Sequence, residues 1–393
     1  MHNMRPLLLV ALAAALTFTN ATGIELITLE RVPGGGIQPQ AVVDESGRVH
    51  LLYFAGDPAA GDLFYVSSGD DGATFTSPLR VNSEAGSAIA TGTIRGGQLA
   101  LGRNGRPHVA WNGSARASQN SPVDPVTGRS GAQMFYTRLN VTRTAFEAQR
   151  GLMQRTVSLD GGGAITADAT GHVYVAWHGD DAETRNRSES SRAVWITRST
   201  DEGRTFTRES AAWKEPTGVC GCCALDLFVD GASVSMMYRA ATAGVDRDIY
   251  FLTSSDRGQT FRGARIHPWK INACPMTSTS FARAGTRLLG AWETEAKIFV
   301  GELDPAGPRA LNVREPAPSA GLKKHPRLAV NARGESLVVW AEGTGWARGG
   351  SVAWQLLDQK GERTTVSGLL PGIPKWSFAA VVPRRDGGFV VFY

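Results

Sequence analysis

The chain has 393 residues, of which 46 are glycine and 42% are hydrophobic, and its formal net charge is +5. This composition supplies a sizeable apolar core and leaves no disordered or low-complexity tract. Lysine and arginine are scattered, and no basic stripe alternates with aromatic residues. Nucleic acid is therefore not expected as a partner.

Residues 1–22 have the composition of a secretory leader. Arg5 precedes an apolar run over residues 7–18, and small residues surround Ala21. The pattern predicts a cleavable signal peptide over 1–22 and export to the periplasm or the medium. The apolar run is short for a transmembrane span and no second one follows, so we expect a mature chain without a membrane span.

Residues 23–393 are predicted to form one all-β domain, because one pattern recurs along them. An apolar strand, a tight turn with glycine and a second strand often ending in Trp or Tyr open each unit, as in the alternating Val173, Val175 and Trp177. The openings lie at 38–54, 97–111, 163–177, 224–238, 278–292, 326–340 and 377–393. Their spacing favours a β-propeller of four-stranded antiparallel blades.

The last unit holds only two strands before Tyr393. The segment 24–32 reads as a strand, and we expect it to supply the missing outer strand of that blade. Such pairing closes the ring and removes an exposed sheet edge. The count of openings favours seven blades.

One octapeptide occurs three times, at 68–75, 199–206 and 254–261, and fits Ser-x-Asp-x-Gly-x-Thr-Phe. The aspartate can accept backbone N–H bonds in a tight turn, the glycine supplies a positive φ, and the phenylalanine closes the turn. The residues of the three copies are Ser68, Asp70, Gly72, Thr74 and Phe75; Ser199, Asp201, Gly203, Thr205 and Phe206; and Ser254, Asp256, Gly258, Thr260 and Phe261.

These three copies resemble the Asp-box, or BNR repeat, of the sialidase superfamily. The resemblance implies a propeller, with six blades rather than the seven counted above, and boxes that are structural and lie away from the substrate face. Ligands would then bind at the opposite face. Long loops at 112–132 and 178–192 are expected there, where loops on rigid scaffolds carry function.

The same resemblance implies an arginine triad that clamps a carboxylate, a tyrosine paired with glutamate, and an aspartate acid/base. The chain fits this pattern poorly. Arg31-Val32-Pro33 resembles the family's Arg-Ile-Pro motif, but the segment GGGIQ separates it from the strand. The catalytic candidates are Arg31, Arg239, Arg327 and Glu293, with Glu295, Asp57 and Asp62 as further possibilities.

The four cysteines are the most distinctive chemistry of the chain. Cys220, Cys222 and Cys223 lie in PTGVCGCCALD before the fourth blade, and Cys274 lies in INACPM where the fifth blade begins. Two disulfides are favoured for an exported chain, one of them joining the cluster to Cys274. The alternatives are a copper or zinc site and a redox-active pair, such as a strained bond between Cys222 and Cys223. Additional metal ligands could be Met236, His267 and Met276.

Two weaker features also belong to the expected ligand face. His178 with Asp180, Asp181 and Glu183 could bind a cation, although a solvated acidic loop is favoured. Trp346 and Trp376 could stack on a sugar ring or simply close strands.

The leading function hypothesis is therefore a noncatalytic or atypical propeller that binds a small ligand or soft metal at its channel face. The rivals are a glycoside hydrolase of exo-sialidase type and a protein-interaction scaffold. The expected partner is accordingly a small ligand, a glycan or a protein at that face.

Overall fold

The computed structural model describes residues 18–19, 25–117, 121–184, 188–317 and 321–393. Within them the chain forms seven separate sheets arranged as the blades of a propeller. The prediction of an all-β propeller with seven blades is confirmed, and the six blades implied by the family resemblance are wrong for this chain. Two single-turn 3₁₀ segments, Pro33–Gly35 and Arg103–Gly105, are the helical elements of the described residues.

Each blade runs from an inner strand at the channel to an outer strand at the rim. Blades one to three consist of Ile37–Val43, Val49–Ala55, Asp62–Ser68 and Leu79–Arg80; Gln98–Leu101, Pro107–Asn112, Met134–Arg138 and Arg150–Gly151; and Ala164–Ala167, Val173–Asp181, Ala193–Ser199 and Ser210–Ala211. In blade three an additional short strand, Thr156–Val157, pairs with the end of the second strand.

Blades four to six follow the same order and are regular. They consist of Asp226–Asp230, Ser233–Arg239, Ile249–Ser254 and Arg262–His267; Thr279–Ala284, Arg287–Thr294, Lys297–Asp304 and Arg309–Arg314; and Lys323–Val330, Ser336–Glu342, Gly350–Leu357 and Arg363–Ile373.

Blade seven is built from both ends of the chain, as predicted. Its inner strands, Ala380–Pro383 and Phe389–Phe392, are C-terminal, and its outer strands, Glu25–Glu30 and Phe18–Thr19, are N-terminal. Two details differ from the prediction. Glu25–Glu30 occupies the third position rather than the outer one, and it pairs parallel with Phe389–Phe392.

The predicted leader over 1–22 lies almost wholly outside the described residues. Within it the structure describes Phe18–Thr19, which pairs antiparallel with Glu25–Glu30. Both the leader and the domain bounds 23–393 therefore stay predictions. In the described part of the chain, no helix is long and apolar enough to cross a membrane.

Large aromatic side chains fill the interfaces between neighbouring blades. Trp111, Trp177 and Trp292 stand near the ends of second strands, and each is at most 1% exposed. Trp111, for example, joins residues of blades one and two in a single apolar cluster. Burial of such rings dominates core energetics, which explains why second strands so often end in tryptophan.

The three Asp-boxes have the same geometry. In the first, Ser68 Oγ donates to Asp70 Oδ1 at 2.7 Å, while Asp70 accepts from the Thr74 N–H at 2.9 Å and the Thr74 hydroxyl at 2.6 Å. The bonds from Ser68 and Thr74 hold the pKa of Asp70 at about 2. Gly72 has a φ of +94°, as the motif requires.

The boxes also join blades. Phe75 makes an edge contact with Phe392 of blade seven, with ring centroids 5.9 Å apart. Phe206 does the same with Tyr136 of blade two at 4.8 Å. Each box therefore ties its own hairpin to the second or third strand of the preceding blade. Because the boxes follow third strands, they lie at the end of the ring opposite the loops that lead into the inner strands.

Candidate functional site

The loops that lead into the seven inner strands form the channel mouth, and their backbone is strained. Each lead-in loop, or the first residues of the inner strand that follows it, contains a residue with φ between +50° and +72°, a region that side chains other than glycine rarely adopt. These residues are Gln38, Thr93, Ser158, Gly218, Met276, His325 and Trp376. Six of the seven are not glycine, and backbone strain of this kind concentrates at functional sites. The mouth is therefore the candidate site.

The lead-in loop of blade four brings three thiols together. Cys220 Sγ lies 3.3 Å from Cys222 Sγ and 3.4 Å from Cys223 Sγ. Backbone bonds fix this turn, from Cys220 N to Arg239 O at 2.9 Å and from Ala224 N to Thr277 O at 3.0 Å. Cys220 and Cys223 are buried, whereas Cys222 is half-buried. We call this set the thiol cluster.

Cys274 lies on the lead-in loop of blade five, beside the thiol cluster. Its Sγ, the Sγ of Cys222 and a carboxylate oxygen of Glu189 lie within 4.8 Å of one another. All four cysteines are free thiols in the structure. The predicted neighbourhood of Cys274 and the cluster is confirmed, while the predicted disulfides stay a prediction.

The charge of the cluster rests on Cys223. Burial alone would raise the pKa of this thiol, but hydrogen bonds from the Cys220 and Cys222 thiols, with the charge of Arg239, hold it well below its ordinary value. The pKa of Cys222 is raised, because its proton is held by Cys220 and Cys223 and because it is buried. Within the cluster a thiolate is therefore favoured at Cys223 over Cys222.

A network of charged side chains holds the cluster from outside. Glu189 accepts from the Gly221 N–H at 2.7 Å and from Arg247 Nη2 at 2.6 Å. Arg247 O in turn accepts from Arg239 Nη1 at 2.6 Å. Glu189 belongs to the long loop 178–192, which thus contributes to the mouth as expected.

Two buried histidines flank Cys223. His325 bonds through its backbone N–H to Thr277 Oγ1 at 3.4 Å, and its Nδ1 has no hydrogen-bond partner in the described structure. His178 lies against Gly161, where an added Cβ would also stand 2.8 Å from the Cys223 carbonyl oxygen. Burial lowers the pKa of His325 to about 3 and that of His178 to about 4, so both imidazoles are neutral near pH 7.

Of the catalytic candidates, the structure brings Arg239 and Glu293 together. Arg239 Nη2 lies 3.6 Å from Glu293 Oε2 and also bonds the Glu293 backbone carbonyl. Burial raises the pKa of Glu293 to about 7, although Arg239 opposes this shift. Both side chains are at least 97% buried.

The other two arginines have separate surroundings. Arg31 is exposed, donates to Gly372 O at 2.6 Å and lies over the Tyr393 ring at 4.1 Å. Arg327 reaches the channel, where it bonds Ser278 Oγ and Thr279 O, both at 3.2 Å. Arg31 thus contacts groups of blades six and seven, whereas Arg327 contacts groups at the inner strand of blade five, so the two guanidinium groups do not share a partner.

The channel below the mouth encloses about 400 Å³ between the inner strands. Arg327 and Asp226 both line it. Burial raises the pKa of Asp226 to about 6, while Arg327 opposes the shift. Asp226 accepts from the Leu227 and Phe281 N–H groups at 2.9 and 3.1 Å.

Several other candidates have partners outside the thiol cluster or form no ligand group. His267 Nδ1 accepts from Trp292 Nε1 at 2.8 Å, and Met236 is fully buried in the core. His178, Asp180, Asp181 and Glu183 are not among the ligand groups found in the described residues. Asp181 instead pairs with Arg155, whose Nε lies 3.0 Å away.

The tryptophans at the mouth differ in exposure. Trp346 is 48% exposed, whereas Trp376 is half-buried beneath the Lys375 ammonium at 4.1 Å from its ring. Trp346 is thus the ring free to stack on a ligand.

Sequence reasoning missed Glu189, Arg247 and His325 as parts of the site. His325 could have been noticed, because it lies near the start of the inner strand of blade six, much as Met276 lies just before that of blade five. Glu189 and Arg247 carry no such signal, since only the fold brings their loops to the cysteines.

Comparison with known proteins supports the fold. No family model and no curated protein matches the sequence. A Trypanosoma rangeli sialidase aligns with a TM-score of 0.53 at 11% identity, over 84% of this chain and 56% of that one. The NanB sialidase of Streptococcus pneumoniae gives 0.55 at 9%, over 90% and 71%.

The similarity also extends to a glycosidase of another type. A Penicillium chrysogenum α-L-arabinanase aligns with a TM-score of 0.52 at 14% identity, covering 88% of this chain and 99% of that one. The chain spans little more than half the length of the Trypanosoma enzyme. With its closed ring of seven blades, this protein is a β-propeller whose fold is similar to those of the sialidases and the arabinanase.

Proposed function

We propose that this protein is an exported propeller that binds a soft metal ion, Cu(I), at the channel mouth. The observation that carries the proposal is the approach of three sulfurs to within 4.8 Å of one another on one short turn. Thiolates are the ligands that Cu(I) selects. The position of the cluster at the mouth of a rigid ring would keep those ligands in place.

The surroundings of the cluster support a cation of low charge. A thiolate is favoured at Cys223, and the positive charges of Arg239 and Arg247 nearby repel a divalent cation more strongly than a monovalent one. A monovalent ion needs less thiolate charge than Zn²⁺, which takes four ligands in structural sites.

The test is a competition titration of reduced protein with Cu(I) and a chromogenic Cu(I) chelator in the absence of oxygen. We expect one tightly bound Cu(I) per chain, and about a hundredfold weaker binding in Cys223→Ser. Cys274→Ala should bind like the wild type, because Cys274 lies outside the three-thiol group. Equal affinity of wild type and Cys223→Ser would refute the proposal. Two disulfides in protein isolated from its native compartment would favour the structural alternative.

The second candidate function is binding or hydrolysis of a glycan, which the fold shared with sialidases and an arabinanase supports. Arg239 and Glu293 would act at the mouth, and exposed Trp346 would stack on a sugar. The guanidinium of Arg239 is already bonded to two backbone carbonyls, which leaves little of it for a substrate carboxylate.

Fluorogenic sialosides and arabinan oligosaccharides test this second candidate. Release that is abolished in Glu293→Gln and retained in Arg31→Ala would establish it. If neither substrate is cleaved and calorimetry detects no binding of either, the glycan function is refuted and only the Cu(I) proposal remains.

A further inference from the structure

We propose that the four cysteines act as two pairs with different tasks. The outer pair, Cys222 and Cys274, reduces Cu(II) to Cu(I). The inner pair, Cys220 and Cys223, retains a Cu(I) ion. The inference rests on the proposed Cu(I) site and adds an electron-transfer activity to it.

The first observation is that Cys222 belongs to two ligand groups at once. Its sulfur lies with Cys220 and Cys223 in one group and with Cys274 and Glu189 in the other. Because the two groups share this one thiol, Cys222 can leave the metal-retaining group by pairing with Cys274. The remaining Cys220 and Cys223 sulfurs are 3.4 Å apart and can still hold one ion between them.

The second observation is the gradient of exposure across the four sulfurs. Cys274 is exposed and Cys222 half-buried, whereas Cys220 and Cys223 are 0% and 3% exposed. A hydrated Cu(II) ion arriving from solvent meets the outer pair first. The inner pair is sealed by the turn and lies beside the Arg239 charge.

The third observation is the carboxylate beside the outer pair. Glu189 stands within 4.8 Å of both outer sulfurs, and a carboxylate accepts more bonds than the two it makes to Gly221 and Arg247. Oxygen ligands suit Cu(II) and sulfur ligands suit Cu(I), so reduction at this place moves the ion from Glu189 toward the thiols.

The chemistry balances with Cu(II) as the oxidant. Two Cu(II) ions each accept one electron, the two S–H bonds of Cys222 and Cys274 break, one S–S bond forms between them, and two protons pass to water. The product disulfide joins the lead-in loops of blades four and five. One Cu(I) is retained by the inner pair and the other is released.

Geometry disfavours the alternative pairs as the electron source. A bond between Cys222 and its neighbour Cys223 closes a strained ring, and strained disulfides are readily reduced again. A bond between Cys220 and Cys223 would consume the two buried sulfurs that retain the ion. Cys222 and Cys274 come from separate loops and meet without that constraint.

The experiment mixes reduced protein with two equivalents of Cu(II) without oxygen. A chromogenic chelator reports Cu(I), and peptide mass spectrometry reports the disulfide. Trypsin places Cys220, Cys222 and Cys223 in the peptide 215–239 and Cys274 in 271–283, so an outer-pair bond appears as a cross-link between two peptides. We expect two Cu(I) per chain and this cross-link, with fragmentation locating it at Cys222.

Three variants separate the two proposals. Cys274→Ser should slow the reduction by about tenfold and abolish the cross-link. Asn272→Ser, an exposed position on the same loop, should behave like the wild type. Cys223→Ser should still reduce Cu(II) and form the cross-link but lose retention of Cu(I), and thermal melts of all variants verify folding.

A bond found only within peptide 215–239, or reduction by Cys274→Ser as fast as by the wild type, would overturn the outer-pair assignment while leaving the Cu(I) site intact. Loss of Cu(I) binding in the direct titration, with the cross-link still formed, would instead overturn the Cu(I) site.

Discussion

The glycine of the second Asp-box offers a sharp test of how the boxes join the blades. Gly203 has a φ of +74°, and a Cβ added there would overlap the hydroxyl of Tyr136 and stand 2.6 Å from its Cζ. Tyr136 is fully buried, bonds His108 Nδ1 at 2.7 Å and packs edge-on against Phe206. The Tyr136 side chain therefore cannot move away from a methyl group added at Gly203.

The expected magnitude of Gly203→Ala has two parts. The left-handed backbone costs alanine about 1 kcal/mol relative to glycine. Overpacking against a rigid neighbour adds about 1–3 kcal/mol. The sum predicts a loss of about 3 kcal/mol in the free energy of unfolding, offset by a few tenths through the restricted unfolded chain.

Gly231→Ala is the matched control. Gly231 has a φ of +58°, in the same left-handed region, and an added Cβ there would meet nothing within 4 Å. We therefore expect this variant to lose only the backbone part, about 1 kcal/mol. Equilibrium urea unfolding followed by tryptophan fluorescence measures both. Equal losses in the two variants would refute the view that the box glycine is a packing site for the preceding blade.

Acid and near-neutral pH provide two further predictions. Burial lowers the pKa of His108 and His325 to about 3 and that of His178 to about 4, so between pH 6.5 and 4 the unfolded chain binds more protons than the folded one. The free energy of unfolding should therefore fall on acidification, by up to about 1.4 kcal/mol per pH unit for each histidine; calorimetric melts between pH 7 and 4.5 measure it, and His108→Gln should show a shallower slope. Glu293 has the opposite sign, because burial raises its pKa to about 7. Between pH 4.5 and 7 its folded form holds the extra proton, so Glu293→Gln should gain stability relative to the wild type as the pH rises; an unchanged difference across that range would contradict the buried, protonated carboxyl.

The repeats made most of the fold predictable from the sequence. Turn residues such as Asp201 and Gly203 act locally, so each copy of their motif predicts one hairpin, while the seven strand openings predict the number of blades. The place of Glu25–Glu30 was predicted only in part. Alternating apolar residues indicate a strand, but they give neither its direction relative to its neighbours nor its position in the sheet. Here the strand is parallel to Phe389–Phe392 and is the third from the channel.

The residues of the candidate site were likewise predictable only in part. Cys222 and Cys274 could be brought together from the sequence, because both precede inner strands of adjacent blades. Glu189 and Arg247 could not, since their loops join second and third strands and reach the cysteines only through side-chain bonds. Polar residues in loops have no periodicity from which such convergence can be read.

The parallel pair formed by Ile27–Glu30 and Phe389–Phe392 has a consequence for how the molecule is made. During synthesis the first strand of the ring waits for the last one, so six blades can form before the circle is complete. The earliest box must also wait, because its Phe75 rests on Phe392. Until that pairing forms, the ring is open, and the apolar faces of blades one and six that pack on blade seven stay exposed.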